Sequence, residues 1–187
     1  MPHAVQLFDA DASRARAVAS FVREGLQSRE RVVVVMRAQA WTLAAVSLAN
    51  DVALSDAIDA GRLTVLDADA TLERLMRDGA LDPVVFAEMV GPLVAAEVPG
   101  TRGLRIYGEM VDLLAAGGDF AAAQQLESLW NDLRSRTPFK LFCGYSSMHF
   151  PGSDGREALR AIRRLHTHTH LSAQDVIGMH LMESAGL

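Results

Sequence analysis

The stretch AVQLFDADASRARAVASFVREGLQSRERVVVVM, residues 4–36, decides how the chain reads. A short apolar strand over 4–8 turns through Asp9-Ala-Asp-Ala-Ser13 into an amphipathic helix, and a second apolar strand follows over 31–36. Ala15, Val18, Ala19 and Val22 recur at helical spacing, while the strand residues are branched and apolar. Gly25 is expected to close the helix. This order is the frame of a phosphate-binding unit, but the loop has the wrong chemistry. A P-loop needs glycines so that backbone N–H groups converge on phosphate, a Lys to neutralise it, and a Ser or Thr for magnesium. No glycine lies between Phe8 and Gly25. Asp9 and Asp11 instead put carboxylates beside the helix N-terminus, where the partial positive charge favours them and a phosphate would be repelled. The helix is therefore expected to be capped from within, with Arg14 and Arg16 offsetting part of the charge.

Outward from this unit, three further apolar runs predict strands over 63–67, 103–107 and 139–145. Between them lie helical patterns: Trp41, Ala44, Ala45 and Leu48; Val85, Met89, Pro92, Leu93 and Ala96; and the clearest stripe, Leu126, Leu129, Trp130 and Leu133. Alternating strands and helices, with strands apolar on both faces, predict a three-layer α/β domain whose mostly parallel sheet of at least five strands is flanked by helices. Residues 1–153 form this domain in the reading. Pro151, Gly152, Ser153 and Gly155 mark a loop, and 154–187 reads as a C-terminal helical extension without a further strand.

The composition excludes several classes. A chain of 187 residues, half hydrophobic and 22% charged, is a globular domain rather than a disordered or fibrous one. Its single cysteine excludes an intramolecular disulfide and suits a reducing compartment, so a cytoplasmic location is expected. No apolar run approaches the roughly 18 residues of a membrane span, and the N-terminus carries no export signal. A net charge of -5 argues against nucleic acid, despite the local cluster of Arg156, Arg160, Arg163 and Arg164.

Several segments in this order, Phe8 to Gly25, RVVVVM, RIYGEMVDLL at 105–114, LESLWNDL at 126–133 and FKLFCGY at 139–145, resemble the MEDS domain, the methanogen/methylotroph sensory domain. That family includes the sensory part of the dichloromethane-metabolism repressor. The resemblance covers roughly residues 3–170. It implies a RecA/KaiC-like fold with an eroded P-loop and a role in sensing hydrocarbon derivatives or similar small molecules. Residues 154–187 are too short for an attached DNA-binding or kinase segment, so output through a partner regulatory protein is expected.

Ligands of open parallel sheets bind beyond the carboxyl ends of the strands. That directs attention to residues 9–13, Arg37, 67–69, 108–110 and 146–149. The candidate ligand-binding residues are Phe8, Asp9, Arg105, Tyr107, Glu109, Cys143 and Tyr145. Arg105, on a strand buried on both faces, needs a partner; an ion pair with Glu109 or Glu127 competes with a ligand-orienting role. Glu109 matches in position the strand-end acid that holds magnesium in phosphoryl transfer, but no phosphate cradle accompanies it. Cys143 shares a face with Leu141 and Tyr145 and reads as a small buried hydrophobe before a sensing thiol. Trp130 reads as core. His166 and His170, four apart in HTHTH, have the spacing of a metal pair on a helix, with His3, His149 and His180 as further imidazoles; a solvated helix end is the plainer account. No nucleotide or metal cofactor is expected.

The reading is thus a non-catalytic sensory domain for a small apolar or weakly polar ligand. Two alternatives remain: an interaction module that self-associates or binds a partner through Val176, Ile177, Met179, Leu181 and Met182, and a weak nucleotide-binding RecA-like protein.

Overall fold

The structure is a computed structural model that describes residues 2–49 and 53–170. His180 and the proposed interface residues Val176, Ile177, Met179, Leu181 and Met182 lie outside the described residues. The first half of the chain runs β1 (His3–Phe8), α1 (Asp11–Gln27), β2 (Arg31–Met36), α2 (Ala38–Leu48), α3 (Leu54–Asp59), β3 (Leu63–Asp67) and α4 (Ala68–Leu75). A two-residue hairpin, β4 (Met76–Arg77) with β5 (Ala80–Leu81), leads to α5 (Pro83–Ala95) and β6 (Leu104–Gly108). Then come α6 (Met110–Ala116), α7 (Phe120–Arg136), β7 (Lys140–Ser146), a 3-10 turn at Ser147–His149, α8 (Gly152–Arg164) and β8 (His168–His170).

Six strands form one parallel sheet in the order β3-β2-β6-β7-β1-β8. The parallel arrangement follows from the helices between strands, which carry the chain back across the sheet. All six residues of β2 are buried, because both faces are covered: Val33 and Val35 meet the layer of α4 to α8, and Val32, Val34 and Met36 meet α1, α2 and α3. In α7, Leu126, Trp130 and Leu133 are buried as the stripe predicts, with Trp130 packed edge-on against Phe86. The three-layer α/β architecture expected from the sequence is present.

Four local expectations are corrected. Gly25 does not close α1, which runs on to Gln27; the left-handed position near its end is Arg29, φ 56°. Gly25 is instead a contact point. A Cβ there would lie 2.6 Å from both Arg105 Cδ and Val32 Cγ2. Arg105 pairs with neither Glu109 nor Glu127. It stands at the amino end of β6, opposite Val32, where its Nε donates to Glu30 Oε2 at 2.6 Å and its NH1 to the Phe21 carbonyl at 2.9 Å. The α5 face is offset by one residue, with Phe86, Val90 and Val94 buried and Val85, Met89 and Leu93 at the margin. That helix is apolar nearly all round, so periodicity alone could not choose its inward face. Finally, HTHTH is not helical: α8 ends at Arg164, and His168–His170 pairs with Ala4, Val5 and Gln6 as the sheet's edge strand.

Exposed helical glycines replaced by alanine gain about 0.5–1 kcal/mol. At position 25 the clash reverses the sign: Gly25→Ala is expected to destabilise the chain by about 1–3 kcal/mol, read as a lower urea midpoint.

Candidate functional site

Parallel strands bring all their carboxyl ends to one edge, and the loops there hold a buried group of charges. Glu109 and Asp112 are both fully buried, the first at the N-cap of α6 and the second in its first turn. The Glu109 backbone N–H donates to the Val35 carbonyl at 3.0 Å, which fixes its position beside β2. From α1, Arg14 NH1 donates to Glu109 Oε1 and, at 2.8 Å, to Asp112 Oδ2. From the end of β2, Arg37 donates its backbone N–H to Glu109 Oε2 at 3.1 Å and its Nε to Oε1 at 2.8 Å; its NH2 reaches Asp112 at 2.5 Å. Asp112 Oδ1 also accepts from the Ser146 backbone N–H at 2.7 Å and lies 2.8 Å from His149 Nδ1. Burial alone would raise the Asp112 pKa, but Arg14, the Ser146 N–H and His149 hold it below the ordinary carboxylate value. Burial likewise opposes the charge on Arg14, yet Tyr107, Asp112 and Glu109 raise its pKa.

Above this group lies a cavity of about 230 Å³ lined by Phe8, Asp9, Ala10, Asp11, Arg14, Arg37, Ser146, Met148 and His149. Glu109 and Asp112 neutralise the two arginines, so the remaining lining charges are Asp9 and Asp11. The loop does not cap α1 from within: the N-cap is Ala10, which makes no side-chain cap, and Asp9 Oδ1 accepts from Ser147 Oγ at 2.8 Å instead. A larger cleft of about 740 Å³ lies at the opposite, amino edge. Its buried cation, Arg31, donates to the Leu93 and Ala96 carbonyls at the end of α5, a capping role.

Of the candidate residues, Phe8 and Asp9 line the carboxyl-edge cavity and Glu109 lies beneath it. Arg105 is elsewhere, at the amino end of β6. Tyr107 is buried on the α1 face with no hydrogen-bond partner for its hydroxyl; a Cβ on Gly144 would come within 2.3 Å of that oxygen. Asp112 went unnoticed in the sequence, although its spacing of three from Glu109 puts both carboxylates in one helical turn.

Cys143 and Tyr145 face the other way, into a second buried polar cluster. Tyr145 OH donates to Glu127 Oε1 at 2.8 Å, and Cys143 Sγ to Glu127 Oε2 at 3.2 Å. Burial first, and then Glu127, push both of their pKa values well up. His3 Nε2 lies 3.2 Å from Glu127 Oε2 and His166 Nε2 3.3 Å from Oε1. Burial of Glu127 is outweighed by the two imidazoles, which hold its carboxyl below the usual range. The helical spacing that paired His166 with His170 does not describe their positions. His166 meets His3, whose ring centroid is 3.9 Å away, while His170 lies in β8 opposite Gln6. Nothing in local spacing joins residue 3 to residue 166.

Because its folded pKa is depressed, Asp112 contributes stability that is full above the unfolded-state value of about 3.9 and is lost as pH falls through the lower folded value. Asp112→Asn is expected to cost about 3 kcal/mol at pH 7, since it leaves buried cations short of a partner. The variant's urea midpoint should also fall less than the parent's between about pH 5 and pH 2.

The fold resembles that of the flagellar accessory protein FlaH from Methanocaldococcus jannaschii, with a TM-score of 0.53 at 12% identity over 91% of this chain and 72% of that one. This likeness concerns the fold alone, a parallel sheet with helices on both faces. Comparison with curated proteins gives no match. A family match, described as MEDS, the MEthanogen/methylotroph, DcmR Sensory domain, spans residues 2–167. This match over most of the chain leads to one assignment: the chain belongs to the MEDS family of sensory domains.

Proposed function

We propose that the chain is a non-catalytic sensory domain that binds a small, weakly polar molecule in the carboxyl-edge cavity and relays the event to a partner protein. One observation carries the reading: Glu109 and Asp112 hold Arg14 and Arg37 at the carboxyl edge, beneath a cavity of about 230 Å³. At about 30 Å³ per water molecule, that space suits a ligand of up to about eight heavy atoms. Its uncompensated lining charges are acidic, which disfavours anions and with them nucleotides. Phe8, Ala10 and Met148 supply apolar contact, and Ser146 and His149 supply polar groups.

Signalling requires a ligand that binds two conformations unequally. Arg37 and His149, with side chains 30% and 24% exposed, are the members of the buried charge group that solvent reaches. A ligand that engages either one changes its hold on Asp112. Arg37 begins α2 and His149 lies in the turn before α8, so both helices would register the change.

The test is a thermal-shift series with short halocarbons, alcohols and amides, alongside millimolar ATP. At least one of the small molecules should raise the melting temperature, and Ala10→Phe, at an exposed extended position on the cavity wall, should abolish that shift while leaving the ligand-free melting temperature within a few degrees. A shift with ATP that Ala10→Phe removes would reject the reading in favour of nucleotide binding.

A further inference from the structure

His3 from β1, Glu127 from α7, Cys143 from β7 and His166 from the segment after α8 place one ligand atom each within 4.8 Å of the others. The hydrogen bonds around the two imidazoles decide which nitrogen carries the proton. His166 Nδ1 is 2.7 Å from the Ile162 carbonyl oxygen, which can only accept, so Nδ1 donates. His3 Nδ1 is 2.9 Å from Asn131 Oδ1. That amide is oriented by its own Nδ2 donating to the Leu165 carbonyl at 2.9 Å and by Arg134 NH1 donating to Oδ1 at 3.1 Å. His3 Nδ1 therefore donates as well. In the neutral rings both Nε2 atoms then present lone pairs to the Glu127 carboxylate, at 3.2 Å and 3.3 Å. His166 Nε2 is buried and makes no hydrogen bond. Lone pairs facing a carboxylate in a dry core are unfavourable unless a cation stands between them. Imidazoles that donate Nδ1–H to a carbonyl and aim Nε2 at a common centre are arranged as metal ligands are.

We propose that His3, Glu127, Cys143 and His166 form a site for one divalent transition-metal ion of the zinc class. Bond lengths of about 2.0–2.3 Å around tetrahedral zinc put neighbouring ligand atoms roughly 3.3–3.6 Å apart. Three separations are close to that, 3.2 Å from His3 Nε2 to Glu127 Oε2, 3.4 Å from His3 Nε2 to Cys143 Sγ and 3.2 Å from Cys143 Sγ to Glu127 Oε2, while His166 Nε2 lies 3.3 Å from the other carboxylate oxygen, Oε1, and the four ligand atoms fall within 4.8 Å of one another. On binding, the Cys143 thiol releases its proton to solvent, as does an imidazole that holds one, and the sulfur and both Nε2 lone pairs bond to the metal beside the ionised carboxylate. Two ligand charges then cancel those of the ion, and a neutral centre suits full burial. All four positions are filled by protein atoms, so the site is of the closed, structural or sensing kind rather than the open kind that activates water. It would clamp β1 to the segment that leads into the edge strand β8. The cluster lies on the α7 face of the sheet and does not depend on the carboxyl-edge reading. Its competing occupant is a proton on an imidazole.

Titration of the chelator-stripped full chain with Co²⁺ separates the two. Saturation at one equivalent is expected, with a thiolate-to-cobalt charge-transfer band that only Cys143 can supply, because the chain has one cysteine. Zn²⁺ should bleach the band, and either metal should raise the melting temperature. In variants whose far-ultraviolet circular dichroism matches the parent, Cys143→Ser should lose the band and His166→Gln should bind Co²⁺ at least about tenfold more weakly. A natively folded parent chain with neither the band nor a melting shift at excess Co²⁺ overturns the proposal and leaves a protonated cluster. Cobalt binding without the band in the parent overturns it as well, since the metal then sits elsewhere.

Discussion

Two arginines and two carboxylates brought together at one edge of the sheet, all but Arg37 buried, set the terms for everything around them. Removing such charges from water costs several kcal/mol per ion, and only mutual pairing with good geometry offsets it. Arg14, Arg37, Glu109 and Asp112 must therefore meet, and each comes from a different turn of the chain or from the first turn of α6. Their meeting fixes the entry of α1, the exit of β2 and the start of α6 at once. Ser146 and His149 add the exit of β7 through their bonds to Asp112. The same pairing neutralises Arg14 and Arg37, two cations beside the first loop, with the protein's own carboxylates.

The sheet carries a second polar group on its other side, around Glu127, and the two differ in kind. The edge group reaches solvent through Arg37 and His149 and borders a cavity. The Glu127 group has none of that access; His3, Glu127 and Cys143 are wholly buried, and their partners arrive from both ends of the described chain. A buried polar cluster of this kind is stable only if every member is satisfied. His166 Nε2, 3.3 Å from Glu127 Oε1, makes no hydrogen bond. A sensory domain needs an element with two arrangements of comparable stability, and polar groups with alternative partners supply that more readily than packed aliphatic side chains.

Much of the fold was legible because it depends on local pattern. The strands over 31–36 and 63–67 coincide with those observed, and the other three expected strands are displaced by a residue or two at their ends. The α7 stripe was visible because polar residues flank it, whereas the α5 face was not, since that helix has hydrophobic residues on most sides. Among the edge residues, Phe8, Asp9 and Glu109 could be placed from the rule that ligands gather beyond strand ends. Arg105 could not: alternation shows that it is buried but not which neighbour meets its charge. The parallel register against β2 brings Glu30 to it.

The amino-acid sequence by itself determined the α/β class, the order of the principal elements and the acidic, glycine-free first loop, because periodicity, turn residues and charge sign act within a few residues of one another. Tertiary structure alone decided the partners of the buried charges, the role of Gly25 as a contact point, the conversion of HTHTH into an edge strand, and the meeting of His3 with His166. These depend on distances closed by the folded sheet between residues far apart in the chain, where local spacing carries no information.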